Sequence, residues 1–180
     1  EKVVALINRP MIAVIGSGEN EHPNLSIPLG RWLAENGYNL INGGGGGVMI
    51  STARAFSSVK KREGLVIGVI PSNSNCSLEA GRRSYVPPHN YPNPYTEVVI
   101  RTHLHLSGSM GKKLASRNHI IILSADKIIA LPGGHGTQSE VELATEYKKP
   151  LILLSPSGEW NSYGNQISLV KTVKEATEKI

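Results

Sequence analysis

A single cysteine, Cys76, stands in the 180 residues. An intramolecular disulfide is therefore excluded, and the expectation is a reducing compartment, hence a cytoplasmic protein. No apolar run approaches the roughly 18 residues needed to cross a bilayer, so no membrane association is expected. The first residues, Glu1-Lys2-Val3-Val4-Ala5-Leu6-Ile7, carry neither a basic flank nor a long apolar segment, and no signal peptide is expected. Aromatic residues make up only 5%, and the basic residues come in short groups: Lys60-Lys61-Arg62, Arg82-Arg83, Lys112-Lys113 and Lys148-Lys149. The net charge of +5 thus comes without a concentrated basic face, which argues against nucleic acid as partner. A dispersed positive surface can still draw small anions toward a pocket. The six histidines bring no cysteine or carboxylate partners at ligand spacing. His103 and His105 fall on one side of an extended segment, but nothing completes a set, so no dedicated metal site is expected.

Glycine, in contrast, is abundant at 19 residues, and much of it is clustered. The richest segment is Pro132-Gly133-Gly134-His135-Gly136-Thr137. An apolar run, Lys127 to Leu131, precedes it, and a helical pattern follows from about Thr137. Strand, glycine turn and helix start together build an anion site. The first amides of a helix lack intrahelical partners, and the dipole there is positive. Two more glycine segments follow apolar runs. Gly16-Ser17-Gly18 comes after Met11–Ile15, and the run Gly43 to Gly47 follows Tyr38–Asn42.

Further short apolar runs at Leu65–Pro71, Glu97–Ile100 and Pro150–Leu154 read as strands. Helical patterns cover about 28–36, 48–61, 112–123 and the tail 166–179. Nearly all-apolar strands alternating with helices indicate a parallel sheet covered on both faces. The expected architecture is one α/β domain over residues 1–180: a Rossmann-like, doubly wound parallel sheet in a three-layer αβα arrangement. Such sheets bind ligands beyond the carboxyl ends of their strands, where the fold would gather all three glycine segments. The first loop lacks the third glycine of G-x-G-x-x-G, and no Walker A sequence occurs, which disfavours NAD binding and ATP hydrolysis. The Ser/Asn/Pro-rich stretch 72–95 is longer than an ordinary connection and is expected to border the pocket.

Pro132-Gly133-Gly134-His135-Gly136-Thr137-Gln138-Ser139-Glu140 resembles the P-G-G-x-G-T-x-x-E motif of the Lonely Guy (LOG) superfamily. Arg117, fifteen residues before Pro132, falls where that superfamily places an arginine, and Gly43 to Met49 resembles its G-G-G-x-x-G-L-M segment. The resemblance spans about residues 11–155. It implies a homo-oligomer, commonly a dimer or tetramer, and a phosphorylated small-molecule ligand. Two branches are relevant. One comprises phosphoribohydrolases that cleave the N-glycosidic bond of nucleoside 5′-monophosphates and activate cytokinins. The other comprises molybdenum cofactor carriers, which bind a molybdopterin-type cofactor without turning it over and can hand it to molybdoenzymes.

The hydrolase branch carries M-H-x-R-K before the motif, whereas this chain reads Ala115-Ser116-Arg117-Asn118-His119, with Asn118 in place of the lysine. Ser116-Arg117-Asn118 is similar to the A-R-N segment of the carriers. The resemblance therefore implies a cofactor-binding carrier first and a phosphoribohydrolase as the alternative. For the carrier, the expected binding residues are Gly16, Ser17, Gly18, Gly44, Gly45, Gly46, Arg117, Asn118, Gly133, Gly134, His135, Gly136 and Thr137. Asn42 is a further amide for pterin edges. For the hydrolase, Glu140 would stabilise oxocarbenium character and orient water, and Arg117 would hold the phosphate or assist the departing base. Simpler roles stand beside these. Thr137 and Glu140 fit a helix capping box. Arg117 could be an ordinary surface or ion-paired arginine.

Overall fold

The computed structural model describes residues 8–180, except the side chains of residues 164–166. The amino-terminal stretch considered for a leader lies outside the described residues. Seven parallel strands form one sheet: β1 (Met11–Ile15), β2 (Asn39–Asn42), β3 (Val66–Ile70), β4 (Val98–Arg101), β5 (Lys127–Ala130), β6 (Leu151–Leu154) and β7 (Ser168–Val170). Their spatial order is β4-β3-β2-β1-β5-β6-β7. The chain builds outward from β1 to β4, then returns to lay β5 against the other side of β1, pairing Ile12 with Lys127 and Ile15 with Ala130. The order reverses between β1 and β5, so a crevice opens beyond their carboxyl ends.

Alternate residues of the strands feed two cores. Ile12, Val14, Leu40 and Ile129 point to one side, where they meet Leu29 and Leu33 of α1 (Pro23–Glu35), Phe56 of α2 (Val48–Ser57) and Ala176 of a late helix, Val173–Thr177. Ala13, Ile15, Ile41 and Ile128 point to the other, against Ile121 and Ile122 of the helix Asn118–Ser124 and Val141 and Leu143 of the helix His135–Glu146. The three-layer, Rossmann-like α/β arrangement expected from the apolar runs is the one observed. In chain order the helices after α2 are α3 (Glu79–Arg83), α4 (Asn118–Ser124), α5 (His135–Glu146) and α6 (Val173–Thr177).

Several boundaries differ from the sequence pattern. The first helix starts at Pro23, where a proline costs no hydrogen bond, and it retains Pro28 in its interior. Burial of Leu29, Leu33 and Ala34 outweighs the bond that Pro28 cannot make. The expected helix 112–123 is shortened to Asn118–Ser124. His119 Nε2 lies 3.1 Å from the Lys112 carbonyl and 3.2 Å from that of Lys113, and these contacts hold the preceding residues in a turn. The tail is not one helix. It forms strand β7 and then α6, whose start is fixed by a capping box between Thr172 and Glu175.

Candidate functional site at the switch point

The three glycine loops meet at the crevice and are fastened to one another. Ser17 donates its backbone N–H to the Pro132 carbonyl at 3.1 Å, and its own carbonyl accepts from Val48 N–H at 2.8 Å. This approach demands Gly47, which has φ +56°, because a side chain there would run into the Ser17 carbonyl. The Ser17 hydroxyl oxygen accepts the amides of Glu19 and Asn20 at 3.2 and 2.9 Å. The Ser17 amide is therefore committed to the scaffold, whereas its hydroxyl proton remains to donate. Asn42 is also committed. Its side-chain oxygen accepts from Gly44 N–H at 2.8 Å, and its amide donates to the Met49 carbonyl at 3.2 Å. It shapes the loop instead of facing a pterin.

These loops wall a cavity of about 530 Å³, a size suited to a small-molecule ligand. Gly16, Ser17 and Gly18 line it from β1, and Gly134, Gly136 and Thr137 from the start of α5. Arg117, Asn118 and Glu140 line it as well, so all three reach one space. Within the five-glycine run the lining residue is Gly43, not the expected Gly44, Gly45 or Gly46. Gly133 and His135 face a separate recess of about 290 Å³ beside Glu159 and Trp160. Seven further lining residues were not foreseen as site residues: Val14 and Ile15 at the end of β1, Glu19 in the loop after it, and Met49, Tyr91, Ser107 and Gly108. Tyr91 has a partial signal, since it belongs to the long stretch 72–95 expected at the pocket edge. Ser107 and Gly108 have none; they arrive because Ser139 of α5 donates to the Gly108 carbonyl at 3.2 Å.

Arg117 is the distinctive group. It is 6% exposed, and its guanidinium carbon lies 5.8 Å from the Tyr91 ring centroid. Its one side-chain hydrogen bond is a long one, 3.4 Å to Asn118 Oδ1, and its Nε has no partner. Among the described residues it forms no ion pair, so the expectation of a surface or ion-paired arginine does not hold. Gly43 makes room for it, because a Cβ there would overlap the guanidinium. A buried cation without a counter-charge is costly unless something supplies one.

Glu140 faces the same space. Burial pushes its carboxyl up to about 7, against the opposing pull of Arg117. It is no capping residue. Helix α5 begins at His135 behind Gly134, without a side-chain cap, so Thr137 already lies inside the helix. The open amides of the α5 first turn, the Arg117 guanidinium and a carboxyl that can hold or release a proton near neutrality converge on one cavity. That arrangement can bind an oxyanion and can exchange a proton with it.

Parallel sheet, switch-point crevice and a cavity walled by glycine loops define a Rossmann-like domain with a candidate ligand site. The chain belongs to the SLOG cluster4 family, whose model matches residues 9–179. It is 33% identical over 147 residues to an uncharacterized protein of Archaeoglobus fulgidus, covering 81% of this chain and 80% of that one. Among solved structures it is similar to the molybdenum cofactor binding protein of the phototrophic bacterium Rippkaea orientalis, at 31% identity, TM-score 0.68, and coverage of 96% of this chain and 95% of that one. The molybdenum cofactor carrier protein of Chlamydomonas reinhardtii shares the fold at 24% identity and TM-score 0.71, with 95% of each chain covered. So does DNA processing protein A of Helicobacter pylori, at 20% identity and TM-score 0.67, over 94% of this chain and 79% of that one.

Proposed function

We propose that this protein binds and carries the molybdenum cofactor, holding it by its anionic groups without turning it over. The observation that carries the reading is Arg117: a buried guanidinium with no ion pair among the described residues, directed at a cavity large enough for a small ligand. The 31% identical relative from Rippkaea orientalis, a molybdenum cofactor binding protein, supports the choice of ligand.

The residues present fit such a cofactor. Arg117 suits its phosphate, since a guanidinium offers a planar fork of donors. The first-turn amides of α5, with Gly134 and Gly136 free of bulky side chains, suit a second oxyanion. Ser17 and Asn118 offer polar groups to a pterin edge. The cofactor itself supplies the oxo-metal dithiolene chemistry; the chain supplies binding, orientation and shelter. Handover to molybdoenzymes and a homo-oligomeric assembly belong to this reading as well.

A second reading is a nucleoside 5′-monophosphate phosphoribohydrolase. One observation favours it. Glu140, with its carboxyl raised to about 7, shares the cavity with Arg117, as an acid/base group beside a phosphate-binding cation would. One experiment separates the two. Purified protein is incubated with AMP and a cytokinin monophosphate and followed for free base. In parallel, isolated molybdenum cofactor is tested for saturable binding and slower oxidative decay. Saturable, protective cofactor binding without base release is the expected result. Base release that disappears in Glu140→Ala would overturn the carrier reading and establish the hydrolase.

A further inference from the structure

Tyr91 is the only aromatic residue among those described as lining the main cavity. Two other tyrosines show how such a ring is used for structure. Tyr38 stacks on Trp32 with centroids 5.6 Å apart, and the Tyr147 hydroxyl lies 2.8 Å from His119 Nδ1. Tyr91 is held differently. Its backbone segment is pinned to the glycine run by Asn93, which donates its N–H to the Gly44 carbonyl at 2.7 Å and its side-chain amide to the Gly45 carbonyl at 3.0 Å. The phenol end of the ring packs on Gly45, where a Cβ would sit 2.6 Å from the Cζ carbon and from the hydroxyl oxygen. Arg117 lies over the ring. The phenol oxygen makes no hydrogen bond among the described residues, and the side chain lines the cavity. An aromatic ring fixed through its backbone segment and by Gly45 at its phenol end, half-buried, with no hydrogen bond on its hydroxyl, is a surface offered to a ligand.

We propose that Tyr91 is the specificity-determining residue of this site. It makes the cavity prefer an oxyanion attached to a flat heteroaromatic ring over the oxyanion alone. Arg117 takes the charge, and Tyr91 takes the ring by contact with its face and by a hydrogen bond from its hydroxyl. This rests on the ligand reading above and extends it from the anion to the group that bears it.

The test compares wild type, Tyr91→Leu and Tyr91→Phe in calorimetric titrations with isolated molybdenum cofactor, AMP and inorganic phosphate. For Tyr91→Leu, affinity for the ring-bearing probe falls about tenfold, the order expected for one lost aromatic contact, while phosphate affinity stays within about twofold. Tyr91→Phe keeps the ring and stays within about threefold for every probe. A melting curve on each variant confirms that it is folded. An equal loss of phosphate and ring-bearing probe in Tyr91→Leu would make Tyr91 a mere prop for Arg117 and overturn the proposal. Unchanged affinity for both would also overturn it. A wild-type protein that binds AMP but not the cofactor would sink the carrier reading alone, and the Tyr91 comparison would then be decided between AMP and phosphate. Wild type that takes up neither ring-bearing probe would overturn both.

Discussion

Two arginines of this protein lie over aromatic rings at opposite ends of the sheet. Arg62, just before β3, has its guanidinium carbon 5.4 Å from the Phe56 ring centroid. Arg117, beyond the carboxyl ends of the strands, is placed similarly against Tyr91 at 5.8 Å. The resemblance ends there. Arg62 makes a two-pronged contact with Glu97, at 3.0 and 2.5 Å, and also donates to the Gly64 carbonyl. Glu97 in turn accepts the Val66 amide at 2.9 Å, so the pair clasps β3 to the entry of β4. Both terminal nitrogens of Arg62 donate inside the protein. Arg117 is more deeply buried and has spent almost nothing. The same side chain in nearly the same aromatic setting is a fastener where a carboxylate meets it and stays unfastened where a cavity does.

The sharpest way to break this contrast is Arg117→Met. Loss of a charge-assisted contact in a sheltered site is expected to weaken oxyanion binding by about a hundredfold. The apo protein should melt within a few degrees of wild type or slightly above it, since a buried charge without a direct ion pair has been removed. Calorimetric titration and a melting curve on the same sample check both halves; an apo protein that unfolds makes Arg117 structural.

Arg62→Met should do the reverse. Ligand affinity is unchanged, and stability falls by about 1 kcal/mol, the scale of a partly exposed ion pair of good geometry. That is a drop of about 2–4 °C in the melting temperature for a chain of this size. Gly43→Ala tests the seat of Arg117 without removing the charge. The new methyl displaces the guanidinium, and a roughly tenfold loss in oxyanion affinity is expected, with only a minor change in melting.

The smallest effect concerns Glu140. Its folded carboxyl titrates at about 7, above the 4.5 of the free group. Between those values the folded state binds the extra proton, so Glu140 makes stability fall as pH rises through that window. Above about 7 the ionised carboxylate also opposes a bound anion. Oxyanion affinity should therefore weaken modestly from pH 6 to pH 8 in wild type and stay flat in Glu140→Gln. A wild-type profile as flat as the variant's would remove Glu140 from the site.

The sequence made the inner sheet readable because parallel strands covered on both faces must be apolar throughout, as Met11–Ile15 and Val66–Ile70 are. It concealed β7, whose three residues Ser168–Val170 lie at the edge and are buried only at Val170. It also concealed α3, which buries no residue and so leaves no periodic signature. At the site, glycine loops announced themselves, because only glycine tolerates such close backbone approach. Which glycine of a run of five faces the ligand depends on the turn geometry, and there the lining fell to Gly43 instead of its neighbours. Tyr91 and Ser107 reach the cavity through irregular segments folded back by Asn93 and Ser139, and no local pattern encodes that return.

The return of the chain to β1 has a consequence in time. Residues up to β4 can assemble in the order in which they are synthesised, each strand meeting the one before it. The seam between β1 and β5 cannot close that way. The Met11 amide finds the Asp126 carboxylate only across a sequence separation of 115 residues. Contacts of such long range are slow to form. The cavity straddles this seam, so it is expected to mature last, after both flanks of the sheet have set. A newly made chain would pass through an interval in which it is largely folded while this cavity is still unformed.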